Sequence, residues 1–251
     1  MKTGVKVRVV ENLKELKLSA MVSHLEEELR EAKEGGKSYE EFLCTLTEIE
    51  IQNRTSNRER RLIREARFPL LKPLETFEME EAKGLEKRVI MELSSGEYIK
   101  EKRNVIFLGR SGVGKTHLAT GLGIKACKEK YKVRFITGYG LVNELTEARK
   151  ESVLSKVLQK YLRCELLILD ELGYVPFSKE GSELLFQVLA ERHERGSVII
   201  TSNLGFGEWT TLFRDQTMTA ALLDRLTHRA CILNCSWESY RLKETLKGRD
   251  R

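Results

Sequence analysis

The run Gly109-Arg110-Ser111-Gly112-Val113-Gly114-Lys115-Thr116 constrains this chain more than any other feature, because it fills every fixed position of a phosphate-binding loop. An apolar strand candidate, residues 104–108, leads into it, and a helix-like segment opens at Lys115. In that setting glycines let successive backbone N–H groups wrap phosphate oxygens, and the helix N-terminus adds its partial positive charge. Gly109 through His117 therefore form the candidate nucleotide-binding stretch. Lys115 is expected to reach the β- and γ-phosphates, and Thr116 to offer its hydroxyl to Mg²⁺.

A second signal lies downstream. Residues 166–169 are four apolar residues suited to a central strand, followed directly by Asp170 and Glu171. Open α/β sheets bind ligands at the carboxyl ends of their strands. Asp170 is placed to orient Mg²⁺, and Glu171 to accept a proton from the water attacking the γ-phosphate. Thr201-Ser202-Asn203 closes a later strand candidate. Asn203 reads either as a cap of the turn before Gly205 or as an amide that bridges the attacking water and the γ-phosphate. Arg225 reads either as a partner of Asp224 or as a cation projected onto a neighbouring subunit's γ-phosphate, and Arg241 carries a similar ambiguity as a sensor in cis.

The remaining pattern alternates β-branched runs (133–137, 166–170, 197–201, 231–233) with helical stretches (140–149, 152–161, 180–195, 220–229). That rhythm predicts an α/β fold with a parallel sheet covered by helices on both faces. Ahead of it, Leu13, Leu16, Met21, Leu25 and Leu29 recur at helical intervals as far as Gly35-Gly36. Ser38 and Glu41 have the form of a capping box opening a helix with Phe42, Leu46 and Ile49. Phe68-Pro69 and Pro73 interrupt the helical pattern. The expected division is a helical domain over 1–67, a linker over 68–81 and the nucleotide-binding domain over 82–251.

Charge narrows the partners. Lys and Arg number 44 against 38 Asp and Glu, a net +6, which permits a polyanionic partner without establishing one. Arg54, Arg58, Arg60, Arg61, Arg64 and Arg67 cluster over a few helical turns. They form either an ordinary solvated face or a phosphate-contacting surface; Arg54, Arg58, Arg61 and Arg64, with Arg229 near the other end, are the DNA-contact candidates. The five cysteines (44, 127, 164, 231, 235) are spread out with no CxxC, as in a reduced cytoplasmic protein, and no run has signal-peptide or membrane-span length.

These motifs resemble the IstB-type transposition helper ATPases of bacterial insertion sequences, which stand with the DnaC-like helicase loaders in the AAA+ superfamily. The likeness runs through Ser38-Tyr39-Glu40-Glu41-Phe42-Leu43, Ala66-Arg67-Phe68-Pro69, Gly114-Lys115-Thr116-His117-Leu118-Ala119, Leu169-Asp170-Glu171-Leu172-Gly173-Tyr174, Ile200-Thr201-Ser202-Asn203-Leu204, Asp224-Arg225-Leu226 and Ser239-Tyr240-Arg241-Leu242. It implies a five-stranded AAA+ core with a reduced or missing C-terminal lid. It also implies ATP-driven oligomerisation on double-stranded DNA without strong sequence preference, deformation of that DNA, recruitment of the cognate transposase, and disassembly on hydrolysis. Lys115 and Thr116 would be Walker A, Asp170 and Glu171 Walker B, Asn203 sensor 1, Arg225 a trans-acting arginine finger and Arg241 sensor 2. Three departures from the family pattern stand out: Arg110-Ser111 in the loop, His193 and Gly196 in a normally basic run, and residues 234–238 where a glycine usually precedes Ser-Tyr-Arg. A replicative helicase loader and an ATP-gated DNA scaffold remain alternative readings.

Overall fold

The computed structural model describes residues 2–240 and divides them into two compact units, Met1–Arg61 and Leu62–Arg251. In chain order the elements are α1 (Lys2–Glu15), α2 (Ser19–Gly35), α3 (Tyr39–Ala66), α4 (Lys87–Ser94), α5 (Glu97–Lys100), β1 (Val105–Gly109), α6 (Lys115–Lys128), β2 (Val133–Thr137), α7 (Gly138–Lys150), α8 (Leu154–Leu162), β3 (Leu166–Leu172), α9 (Lys179–Arg192), β4 (Ser197–Ser202), α10 (Trp209–Phe213), α11 (Gln216–Thr227) and β5 (Cys231–Cys235). No described helix is long and apolar enough to cross a membrane.

In the first unit Leu13, Met21, Leu25 and Leu46 form the buried centre, with Phe42 and Leu29 packed against it. The expected capping box is present: Glu41 N–H donates to Ser38 Oγ at 3.2 Å, and Ser38 N–H to the Glu41 carboxylate at 2.7 Å. Leu16, expected in the apolar stripe, is exposed. The helix stops one residue earlier, at Glu15; Lys17 takes a left-handed φ of 56°, and Leu18 N–H reaches back to Leu13 O at 2.8 Å, a helix-terminating turn. Glu50 replaces a local cap for α2. Its buried carboxylate accepts from Ala20 N–H at 2.8 Å and pairs with Arg54 Nε at 2.7 Å. Burial works against the charge on Glu50, but these donors outweigh it and hold the carboxyl below its usual range.

The second unit is built on one sheet in the order β2-β3-β4-β1-β5, parallel throughout. Along β1, Ile106 faces one apolar layer while Val105 and Phe107 face the other, and β3 and β4 alternate in the same way. Both faces are covered, which explains the near-continuous apolar runs. One layer packs under α7, α8, α9, α10 and α11; the other packs under α4, α6 and the end of α3. Leu62 and Ala66, at 4% and 0% exposure, belong to that second layer. The division therefore falls inside α3 after Arg61, earlier than the expected boundary at 67, because these last turns are core to the sheet unit.

At the edge where the strands begin, buried Arg192 ties β3 to β4. It donates to the carbonyls of Tyr161 at 2.6 Å, Cys164 at 2.9 Å and Ser197 at 2.8 Å. Gly196 follows from this cage, since a Cβ there would sit 2.6 Å from Arg192 Nη2. The departure from the basic family pattern at Gly196 thus has a packing reason. At the same edge Asn104, just before β1, donates to Leu226 O at 3.0 Å and accepts from Val198 N–H at 3.0 Å.

Candidate nucleotide site

Strand β1 ends at Gly109 and α6 begins at Lys115, so the loop between them presents its amides at a helix N-terminus on the carboxyl edge of the sheet. Gly114 takes a φ of 93°, and a Cβ on it would lie 2.6 Å from a Phe77 ring carbon. Gly109 is equally constrained: its Cβ would fall 2.2 Å from Cys235 O on the neighbouring strand. Both glycines are therefore required by backbone conformation and by space. Lys115 Nζ is held over the loop by the carbonyls of Gly109 at 2.7 Å and Arg110 at 2.8 Å.

Strand β3 delivers two acids to the same place and separates them. A register irregularity between Leu169 and Leu172 against β4 turns successive residues apart. Asp170 is 3% exposed, whereas Glu171 is exposed and takes a left-handed φ of 55°. Such a conformation in a non-glycine residue stores backbone strain. Thr201 on β4 holds the pair: its hydroxyl donates to Asp170 Oδ1 at 2.6 Å and accepts from Glu171 N–H at 2.9 Å. Thr116 donates to the same carboxylate, 3.0 Å from Oδ1 and 3.1 Å from Oδ2. Burial raises the Asp170 carboxyl above its usual range, opposed by the Thr201 and Thr116 hydrogen bonds and the charge of Lys115.

The donor set fits a hard divalent cation. Neighbouring ligands on an octahedral Mg²⁺ with bonds of about 2.1 Å stand about 3.0 Å apart, which is the Thr116 Oγ1 to Asp170 Oδ1 separation. Asn203 is exposed just past the end of β4 and lines the same cleft as Lys115, Asp170 and Glu171. The cleft encloses about 580 Å³, within the usual range for small-molecule sites.

Several wall residues were not singled out from sequence. The stretch read as a linker supplies Pro69, Phe77 and Glu78 to the cleft. Phe77 packs edge-on to the His117 ring with centroids 5.3 Å apart. His117 Nε2 donates to Pro73 O at 3.0 Å, since a carbonyl only accepts, so His117 anchors this strap while also lining the cleft. Burial lowers the imidazole pKa, partly offset by the Pro73 bond. From the other side Trp237 Nε1 donates to Val113 O at 2.9 Å and Tyr240 N–H to Gly112 O at 3.1 Å. Tyr174 OH lies 3.2 Å from Ser111 Oγ. Arg241 lies outside the described residues.

Arg225 stands apart from this cleft. Its guanidinium donates to Ala221 O at 2.7 Å and sits 5.7 Å from the centre of the Phe186 ring; among the described residues it makes no ion pair with Asp224. The next residue, Leu226, is bonded to Asn104 at the start of β1, while the phosphate loop follows the end of β1. Five strand residues at about 3.3 Å each put about 16 Å between the two edges, more than an arginine side chain spans. The five DNA-contact candidates, Arg54, Arg58, Arg61, Arg64 and Arg229, are all exposed. Arg54 is bound to Glu50 and to Lys17 O at 2.9 Å, which makes it a brace of the helical unit.

The sequence matches the family model described as IstB-like ATP binding protein over residues 11–248. It is 39% identical over 236 residues to the insertion sequence IS21 putative ATP-binding protein of Pseudomonas aeruginosa, covering 94% of this chain and 89% of that protein. It is 41% identical over 207 residues to the IS5376 putative ATP-binding protein of Geobacillus stearothermophilus, covering 82% of each. Among solved structures, AMPPCP-bound DnaA from Aquifex aeolicus superposes with a TM-score of 0.56 at 18% identity, covering 73% of this chain and 57% of that one. DnaI superposes with a TM-score of 0.53 at 17% identity, covering 72% and 92%. These two likenesses concern the fold, which is the AAA+ α/β fold.

Proposed function

The chain belongs to the IstB-like ATP-binding protein family, and on that footing we propose that it is the ATP-dependent helper of a bacterial insertion sequence, acting on double-stranded target DNA and on a cognate transposase. The family makes it an AAA+ ATPase. The observation that carries the finer reading is the separation of Arg225 from the cleft across the length of β1, which suits a site completed by a neighbouring subunit.

In this reading ATP lies in the cleft with its phosphates along residues 109–116, and Lys115 leaves the loop carbonyls to contact the β- and γ-phosphates. Thr116 and Asp170 would hold Mg²⁺, which, when bound, neutralises charge on the phosphates. Glu171 accepts a proton from the attacking water, and Asn203 orients that water. The water oxygen forms a bond to the γ-phosphorus as the bond to the β-bridging oxygen breaks, and ADP leaves with that electron pair. Arg225 of an adjacent subunit stabilises the developing charge. ATP-bound subunits assemble along DNA and deform it, the assembly recruits the transposase, and hydrolysis takes the assembly apart. Arg58, Arg61, Arg64 and Arg229 are the candidate phosphate contacts, so binding is salt-sensitive and weakly selective. The protein works in the cytoplasm. A replicative helicase loader is the alternative reading; the insertion-sequence names of the relatives favour transposition.

Subunit mixing tests the trans arrangement. Arg225→Ala and Glu171→Gln should each abolish DNA-stimulated phosphate release. An equal mixture should regain about a quarter of the wild-type rate, the share of interfaces joining an intact Glu171 to an intact Arg225. No recovery on mixing, with both variants binding ATP and assembling on duplex DNA, would reject a trans role for Arg225.

A further inference from the structure

At the edge of the sheet unit away from the nucleotide cleft, His193, Glu194 and His228 converge. Their ligand atoms all lie within 4.8 Å of one another, and the two imidazole centroids are 5.8 Å apart. We infer that these three residues form a surface site for a divalent transition-metal ion of the Zn²⁺ class, clipping α9 to α11.

The ligand chemistry fits. Two imidazoles and one carboxylate are a common zinc donor set, bound at about 2.0–2.2 Å with a water in the fourth position. Three such ligands around a tetrahedral ion stand about 3.4 Å apart, so small side-chain rotations close the cluster, and the exposure of Glu194 and His228 leaves room for them.

The placement fits independently. His193 is the residue that caps the C-terminus of α9, and His228 caps the C-terminus of α11. Each helix end directs its partial negative charge and its last carbonyls towards this spot, which favours a cation. Glu194 adds a full negative charge from a left-handed backbone with a φ of 59°. The flanking Arg195 and Arg229 are exposed, where solvent and salt screen them.

The consequence is mechanical. Arg225 lies one turn before His228 on α11 and stacks on Phe186, which lies two turns before His193 on α9. A metal at the caps therefore closes the same seam that presents Arg225. The metal site stands on its own ligands, whatever role Arg225 has in hydrolysis.

Titration calorimetry of metal-stripped full-length protein with ZnCl₂, in excess Mg²⁺ to occupy the nucleotide site, tests this. Wild type should take up one equivalent, and His193→Ala and His228→Ala should each weaken uptake by at least about tenfold. Glu194→Gln should weaken it as well. His24→Ala, whose ring bonds Ala20 O in the helical unit, should leave it unchanged. Urea unfolding gives a second reading: Zn²⁺ at a hundred times its dissociation constant should shift the wild-type folding equilibrium about a hundredfold, and the His193→Ala equilibrium far less. No saturable uptake below millimolar Zn²⁺, or uptake that survives both histidine substitutions, overturns the proposal.

Discussion

Thr201→Val removes a single hydroxyl while keeping the shape of a β-branched residue in β4, and it tests how the two acids of β3 are held. Thr201 is 1% exposed, and its partner Asp170 is 3% exposed, so solvent does not replace the bond between them. The bond to Asp170 Oδ1 at 2.6 Å is charge-assisted, worth about 1.5–3 kcal/mol, and the bond from Glu171 N–H at 2.9 Å is worth about 1 kcal/mol. The variant should therefore lose about 2.5–4 kcal/mol against urea. Glu171 also loses the contact that fixes its left-handed backbone. If about 2 kcal/mol of that restraint is missing from the transition state, kcat falls about thirtyfold. Thr201→Ser keeps the hydroxyl and should stay close to wild type in both measurements. The assays are urea denaturation followed by circular dichroism, and phosphate release with saturating ATP and duplex DNA. A Val variant with wild-type midpoint and rate would refute the relay, as would a Ser variant impaired to the same degree.

Asp170→Asn should stabilise the nucleotide-free, Mg²⁺-free protein at pH 7 while abolishing Mg²⁺-dependent hydrolysis. Burial raises this carboxyl above its usual 3.8, so the folded state binds the proton more tightly than the unfolded state. The cost of its ionisation is absent below 3.8 and grows as the pH rises through the folded value, so the variant's advantage should shrink towards pH 4. Melting curves at several pH values check this, and an advantage that widens on acidification would contradict it. Gly196→Ala places a methyl 2.6 Å from Arg192 Nη2 and 3.3 Å from Glu165 O, and should cost about 1–3 kcal/mol in urea by spreading the cage between β3 and β4. An unchanged midpoint would mean that the cage yields freely.

The candidate nucleotide site was legible in the sequence where its determinants are local. Gly109 to Thr116 specify a backbone path within eight residues, and Asp170-Glu171 follow directly on an apolar run. The role of Thr201 was not legible at the end of its strand because it depends on register: only the pairing of β3 with β4, with its irregularity after Leu169, brings its hydroxyl between Asp170 and Glu171. The places of Phe77 and Trp237 in the cleft wall were not legible for a related reason. Prolines and polar residues made 68–81 read as a linker, although Pro73 O and the Phe77 ring hold that stretch against His117 and Gly114. Leu16 shows the converse, a helical interval continued by pattern through a turn that Lys17 creates by adopting a positive φ. Arg54 was legible as a cation, but its commitment to Glu50 and Lys17 O depends on how α3 packs against the start of α2.

In the proposed mechanism the two edges of the sheet divide the labour, which makes turnover conditional on assembly. Lys115, Asp170, Glu171 and Asn203 all issue from the carboxyl ends of β1, β3 and β4, so in the proposed mechanism one subunit owns the groups that hold ATP and prepare the attacking water. Arg225 issues from the opposite edge, beside the residue that Asn104 ties to the start of β1, and the sheet itself keeps it from its own cleft. With Arg225 acting in trans, a lone subunit binds ATP but lacks the cation that stabilises the transition state, a contribution worth about 10³–10⁵ in rate where such an arginine is supplied. Hydrolysis per subunit should then rise with protein concentration and saturate as neighbours assemble, while ATP affinity changes far less. A per-subunit rate that is flat from dilute to assembled protein would place the whole catalytic set within one chain and return Arg225 to a purely structural role on Phe186.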